Sequence, residues 1–105
     1  MRFFHRTSAK KAANILKVGF CDSTVRYMMN TTVTGVWVSN QILTAQEGAG
    51  GDAVLQIEVK ASRKDLDFYE VKEEGKPHRE WSVPARLLNK GKIVRAGRDR
   101  PGEHP

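Results

Sequence analysis

The first twenty residues constrain the fold more than any other part of this sequence. Residues 2–6, RFFHR, are short and aromatic, a composition that favours a β-strand. Thr7 or Ser8 can then cap a helix whose apolar positions recur at helical spacing. Gly19 follows where the end of a helix favours a left-handed residue, and Phe20 supplies the apolar contact after it. The segment therefore predicts a strand that leads directly into a capped helix.

The same segment is also basic, which allows two other interpretations. It has five basic residues and no acidic residue up to position 18, as targeting peptides and nucleic-acid-binding arms often do. A targeting peptide has no need of a well-formed glycine stop, and its removal would take a large part of a small domain. We therefore interpret the segment as part of the folded domain.

The middle of the chain predicts strands separated by loops. Residues 21–34 show no clear period and are expected to be irregular, whereas residues 35–39 have a compact strand pattern. The glycine-rich residues 41–52 predict a mobile loop, and their spacing does not match a P-loop. Residues 53–60 alternate between apolar and polar side chains, which predicts a strand with one buried face.

The last third of the chain predicts a hairpin. Residues 67–83 fit two strands around a Glu-Gly-Lys-Pro turn. In the second strand, Trp81 and Val83 should lie on one face, with Glu80 and Ser82 on the other.

The chain ends with a short helical turn, a strand and a tail. Pro84 begins the helical turn, residues 92–96 form the strand, and the polar, Pro- and Gly-rich residues 97–105 are expected to be disordered. The total is five or six short strands and one substantial helix. The sequence therefore predicts a single α+β domain over residues 1–96 followed by a tail.

Composition agrees with a small intracellular domain. The 105 residues are 39% hydrophobic and 29% charged, which suits one domain with a modest core. The single cysteine rules out an internal disulfide and fits a reducing compartment. No apolar run approaches the roughly 20 residues of a membrane helix. We therefore expect a cytoplasmic protein without a membrane partner.

The positive charge is concentrated at the two ends of the chain. The net charge is +6, with +5 in residues 1–18, +4 in residues 85–105 and −3 between them. A basic surface of this kind attracts polyanions such as nucleic acids, or phosphate-bearing small molecules. It is equally compatible with a role in solubility alone.

Three short segments carry polar groups where a core strand would have none. They are HRT at 5–7, GVWVS at 35–39 and EWSVP at 80–84. Their order resembles the ADP-ribosyltransferase fold family, in the branch of the poly-ADP-ribose polymerase and diphtheria-toxin catalytic domains. The corresponding family motifs are His-Gly-Ser/Thr, Gly-Ile/Leu-Tyr-Phe-Ala/Ser and Glu-Tyr-Ile-Val-Tyr. The resemblance covers residues 2–96 and implies a small split β-sheet domain with one main helix after the first strand.

The resemblance implies an enzyme that cleaves the nicotinamide–ribose bond of NAD. Such an enzyme transfers ADP-ribose to a protein or nucleic-acid acceptor, or to water, and small members of the fold often act as toxins. Glu80 would stabilise the charge that develops on the ribose, His5 would hold a ribose hydroxyl, and Trp37 would stack on the nicotinamide ring. These three are the candidate catalytic residues, and no metal ligand is expected. The candidate NAD-binding residues are His5, Arg6, Thr7, Trp37 and Ser39.

Three departures from the family motifs leave other functions open. Arg6 stands where the family has Gly, Trp37 where it has Tyr, and Pro84 where it has an aromatic residue. Arg6 keeps open an RNA 2′-phosphotransferase-like activity, which relies on several arginines, although Glu80 argues against it. A noncatalytic domain that binds nucleic acid through its basic residues is the third possibility.

Overall fold

The computed structural model describes residues 1–28, 31–43, 51–72, 75 and 77–96, and in these ranges the chain forms seven strands and three helices. In chain order they are β1 (Arg2–Thr7), α1 (Ala9–Val18), β2 (Ser23–Met28), β3 (Thr31–Ser39), β4 (Ala53–Glu58), α2 (Arg63–Leu66), β5 (Glu70–Val71), β6 (Glu80–Val83), α3 (Ala85–Asn89) and β7 (Lys92–Arg95). A 3-10 turn at Asp67–Tyr69 joins α2 to β5. The predicted α+β class is confirmed.

The strands form one antiparallel sheet that is nearly divided in the middle. Its order is β5–β6–β3–β1–β4–β7, and β2 pairs with β3 outside this path. The central strand β1 pairs with β4 along its whole length, from Arg2 to Thr7. It pairs with β3 only where Phe4 lies opposite Ser39. The sheet is therefore weakly joined between β1 and β3.

The hydrophobic core lies on the face of the sheet that the helices cover. Leu55 and Ile57 of β4 are fully buried, as their alternation predicted. Trp81 and Val83 also lie in this core, and the ring of Phe3 is edge-on to that of Trp81 with centroids 5.0 Å apart. The helices contribute Ala12, Leu66, Ala85 and Leu88.

The helix α1 begins and ends at the residues that the sequence predicted. The side chain of Ser8 accepts a hydrogen bond from the Lys11 N–H over 3.1 Å, which satisfies one free donor of the first turn. Gly19 has a φ of +94°, and its N–H donates to the Ile15 carbonyl over 2.7 Å. A glycine tolerates this φ without the steric cost that a side chain would add.

The segment after α1 is fastened to α3 at both ends of that short helix. The Asn89 side chain accepts from the Phe20 N–H over 2.8 Å and donates to the Phe20 carbonyl over 3.0 Å. Asp22 accepts from the Ala85 N–H over 2.7 Å and so caps the start of α3. These contacts place Phe20 in the core.

The prediction that residues 21–34 are irregular was wrong. The strand β2 pairs with the first half of β3, with Val25 opposite Val33 and Thr24 opposite Thr34. Side chains from Ser23 to Arg26 are exposed on both faces of this hairpin, so no alternation of apolar and polar residues marks it in the sequence.

Other sequence predictions differ from the structure in extent. The described strands number seven rather than five or six, and α2, which is capped by Ser62, was not predicted. Residues 44–50 of the predicted loop, positions 74 and 76 of the predicted hairpin turn and the tail 97–105 lie outside the described residues. None of the described helices has the length and apolar character needed to cross a membrane.

Candidate active site

Trp37 and Glu80, from the second and third sequence motifs, meet directly. Their strands are neighbours, and the register pairs Ser39 with Glu80 and Trp37 with Ser82, so all four side chains lie on one face of the sheet. The Trp37 indole N–H donates a hydrogen bond to Oε1 of Glu80, 43 positions further along the chain. The Glu80 side chain remains 11% exposed and Trp37 is half-buried.

His5, from the first motif, reaches the backbone of Trp37 rather than its indole. Its Nδ1 lies 2.8 Å from the Trp37 carbonyl oxygen. Since a carbonyl can only accept, Nδ1 carries the proton, and in the neutral ring Nε2 then keeps its lone pair. Phe4 shares a face with Ser39, so His5 belongs to the opposite, helix-covered face and bonds to β3 where the sheet is weakly joined. The His5 ring is edge-on to Phe20, with centroids 5.3 Å apart.

The surroundings of His5 favour the neutral imidazole. Burial lowers the pKa of His5 below its ordinary value, because the charged form loses its hydration. The hydrogen bond to Trp37 opposes this shift, and the positive charge of Lys11 adds to it. At neutral pH, His5 is therefore an uncharged group that can accept a hydrogen bond at Nε2.

His78 contacts Glu80 and so forms a cluster with Trp37 and Glu80. The sequence analysis missed this residue. Its Nε2 lies 2.9 Å from Oε2 of Glu80, and its side chain is only 1% exposed. Its Nδ1 is buried and has no hydrogen-bond partner among the described residues. The signal was the His-x-Glu spacing, since residues two apart in an extended chain point to the same side.

The Arg6 guanidinium donates hydrogen bonds to residues on both sides of positions 44–50. Its Nε donates to the Leu43 carbonyl over 2.7 Å, and its Nη1 donates to the Gly51 carbonyl over 3.0 Å. Thr7 is buried, and its backbone packs so closely on Gly51 that a Cβ there would lie 2.3 Å from the Thr7 carbonyl group. Arg6 and Thr7 thus hold the residues that flank positions 44–50.

Ser39 and Gly35 set the geometry of β3 beside β6. The Ser39 hydroxyl donates to the Gln41 carbonyl over 2.6 Å and is buried, so its proton is used within the turn that follows β3. Gly35 has a φ of +152°, and a Cβ there would lie 2.8 Å from the Ser82 Oγ. The glycine of the second motif therefore allows the two strands to approach closely.

On one face of the sheet, the positioned carboxylate of Glu80 meets a half-buried indole, whereas the His5 imidazole lies on the opposite face and contacts only the Trp37 backbone. Such a carboxylate can stabilise a cation that develops beside it, and the indole can stack on a flat ring. In the described ranges, no group of three His, Cys, Asp or Glu side chains is arranged to hold a metal ion.

Comparisons of this chain with protein-family models, with curated proteins and with solved structures each find no match. Its function is therefore inferred from its residues and their geometry.

Proposed function

We propose that this protein is an NAD-dependent ADP-ribosyltransferase-like enzyme with a site built around Trp37 and Glu80, in which His5 supports the backbone of Trp37. The contact between Trp37 and Glu80 is the observation that supports this most. Two weak motifs, 43 positions apart in sequence, supply side chains that hydrogen-bond to each other. The first motif contributes His5, which bonds to the Trp37 backbone. The weak junction between β1 and β3 is consistent with the split sheet of that family.

In the proposed reaction, the bond between the nicotinamide nitrogen and the ribose breaks, and its electron pair leaves with nicotinamide. The ribose becomes positively charged as this happens, as in the cleavage of a glycoside. The Glu80 carboxylate stabilises this charge directly or by accepting a hydrogen bond from the neighbouring ribose hydroxyl. An oxygen of the acceptor, or of water, then bonds to the ribose carbon, and its proton passes to the Glu80 carboxylate or to solvent water.

Trp37 binds the dinucleotide in this scheme. The ring of Trp37 stacks on nicotinamide, and its N–H donates a hydrogen bond to Glu80. The same side chain therefore binds the substrate and positions the carboxylate. His5 faces the other side of the sheet, so in this scheme it supports the Trp37 backbone through Nδ1 rather than holding a ribose hydroxyl. Arg6 already donates to two carbonyls, and this commitment does not favour a 2′-phosphotransferase-like role that depends on free arginines.

The acceptor is proposed to be a protein or a nucleic acid. The +5 charge of residues 1–18 favours a polyanion near the first strand and helix. Hydrolysis, with water as the acceptor, is the competing outcome of the same cleavage step.

The test is nicotinamide release from NAD by the wild-type protein, by Glu80→Gln and by Glu58→Gln. Glu58 is a matched control because it lies on β4 of the same sheet, pairs with Arg2 at the surface and is 45% exposed. We expect Glu80→Gln to lower release by about 100-fold or more, the usual scale for loss of one transition-state contact, and Glu58→Gln to leave it unchanged. Equal release by the wild type and Glu80→Gln would refute the assignment.

Labelled NAD then identifies the acceptor. With the label in the adenylate half, transfer to RNA, DNA or protein is separated from free ADP-ribose by precipitation. If NAD is not consumed, while RNA binds in a salt-sensitive way that Glu80→Gln does not change, the chain is instead a noncatalytic nucleic-acid-binding domain.

A further inference from the structure

The carboxylate of Glu80 is held at both of its oxygens before any substrate is present. Oε1 accepts from the Trp37 indole N–H, and Oε2 lies 2.9 Å from Nε2 of His78. A carboxylate oxygen accepts, so Nε2 of His78 carries the proton in this contact. Each oxygen has a second lone pair, which leaves room for a hydroxyl of a ligand.

At a purely structural position, a buried histidine such as His78 would lower the stability of the fold relative to an apolar side chain. Its side chain is 1% exposed, yet Nδ1 has no partner among the described residues. Buried polar atoms are normally hydrogen-bonded, because an unpaired one loses its contacts with water without replacement. An apolar side chain would fill the same space without that cost, so the contact with Glu80 is the feature that distinguishes histidine here.

We propose that His78 is a positioning residue that orients the Glu80 carboxylate, an inference that rests on the proposed function. His78 is too deeply buried to contact NAD or an acceptor, so it acts only through Glu80. Together with the Trp37 indole, it prevents rotation of the carboxylate about its last side-chain bond. A carboxylate fixed in this way stabilises a developing charge without first having to reorient.

Three substitutions at position 78 distinguish the loss of the hydrogen bond to Glu80 from the loss of side-chain packing. His78→Gln can place an amide N–H near the position of Nε2 and should preserve the contact. His78→Leu fills the space without a donor, and His78→Asn is polar but too short to reach Glu80. Asn therefore tests the loss of the donor even if the leucine variant does not fold.

The first measurement is the kinetics of nicotinamide release from NAD. Loss of one hydrogen bond to a charged group should lower kcat by about 10- to 100-fold in the Leu and Asn variants. KM for NAD should change little, because His78 does not touch the substrate, and His78→Gln should retain most of the wild-type kcat. Equal kcat in all four folded proteins would overturn the proposal.

The second measurement does not need turnover. The chain has two tryptophans, so a nitrogen–proton NMR spectrum contains two indole signals, and Trp37→Phe identifies the one from Trp37. A proton donated to a carboxylate resonates downfield. We expect the Trp37 signal to move upfield or broaden in His78→Leu and His78→Asn and to stay in place in His78→Gln.

The two measurements distinguish the two proposals. If the wild type does not cleave NAD but the Trp37 signal responds as expected, the proposed function is wrong, and the orientation of the Glu80 carboxylate by His78 is supported. If NAD is cleaved while neither kcat nor the Trp37 signal depends on residue 78, the positioning role is wrong and the proposed function stands.

Discussion

Asn89→Ala should destabilise the protein, because it removes the attachment between the exit of α1 and the last turn of α3. The Asn89 amide makes two hydrogen bonds to Phe20, one to its N–H over 2.8 Å and one to its carbonyl over 3.0 Å. Alanine leaves both backbone groups of Phe20 without these partners. Phe20 is 5% exposed, so water does not readily replace them.

The expected loss follows from these two contacts. At about 1 kcal/mol for each hydrogen bond, the substitution costs roughly 2 kcal/mol. Alanine favours the helical conformation at position 89 by up to about 0.7 kcal/mol, which leaves a net loss of roughly 1.5 kcal/mol. A loss of 1 kcal/mol lowers Tm by about 4–8 °C in a domain of this size, so Tm should fall by roughly 6–12 °C.

Thermal unfolding followed by circular dichroism measures this change. Asn40→Ala is a matched control, because the Asn40 side chain makes one hydrogen bond to the backbone, from the Arg79 N–H over 2.9 Å, at an exposed position. If Asn89→Ala shifts Tm no more than Asn40→Ala, the attachment of Phe20 by Asn89 does not stabilise the fold and the reasoning is wrong.

Two other predictions concern stability. The Arg79 guanidinium donates two hydrogen bonds to Glu70 and holds the pKa of that carboxyl below its ordinary value of 4.5. Glu70→Gln should therefore lower the free energy of unfolding by about 1 kcal/mol at pH 7. This loss is small for a charged pair because Arg79 is 39% exposed, so water screens the interaction. The stabilisation by this pair is present above pH 4.5 and is lost as the pH falls through the folded-state pKa of Glu70. The Tm values of the wild type and Glu70→Gln should therefore converge in acid. A Tm difference that stays constant with pH would contradict this. Gly51→Ala places a Cβ 2.3 Å from the Thr7 carbonyl at a φ of +108° and should cost more than about 2 kcal/mol in urea unfolding. Gly75→Ala is at a φ of +78°, and among the described residues no atom lies within 4 Å of the added Cβ, so it should cost only about 1 kcal/mol. Equal losses in the two variants would exclude the close approach of Gly51 to Thr7.

Local signals predicted much of the fold correctly because the interactions behind them are local. The cap at Ser8 and the stop at Gly19 depend on backbone groups within one helical turn. The alternation in residues 53–58 depends only on which side of one strand is buried. The hairpin of β2 and β3 was missed because Ser23, Thr24 and Val25 are exposed, so no burial pattern separates it from a loop.

The residue types of the candidate site were readable from three motifs, but their contacts were not. The pairing of Ser39 with Glu80 sets the Trp37 indole against the carboxylate, and a shift of one residue would send the two side chains to opposite faces. The pairing of Phe4 with Ser39 between β1 and β3 puts His5 on the other face, where it bonds to the carbonyl of Trp37.

Local order along this chain thus follows from neighbouring residues, since caps, stops and alternation involve groups a few positions apart. The partners of Arg6, the carbonyl groups of Leu43 and Gly51, follow instead from packing between segments 37 and 45 positions apart in the chain. Such pairings depend on how strands align across the sheet, which adjacent residues do not specify. The contact of Trp37 with Glu80 is of this kind, whereas His78 and Glu80 are two positions apart and only the burial of His78 was decided by the tertiary structure.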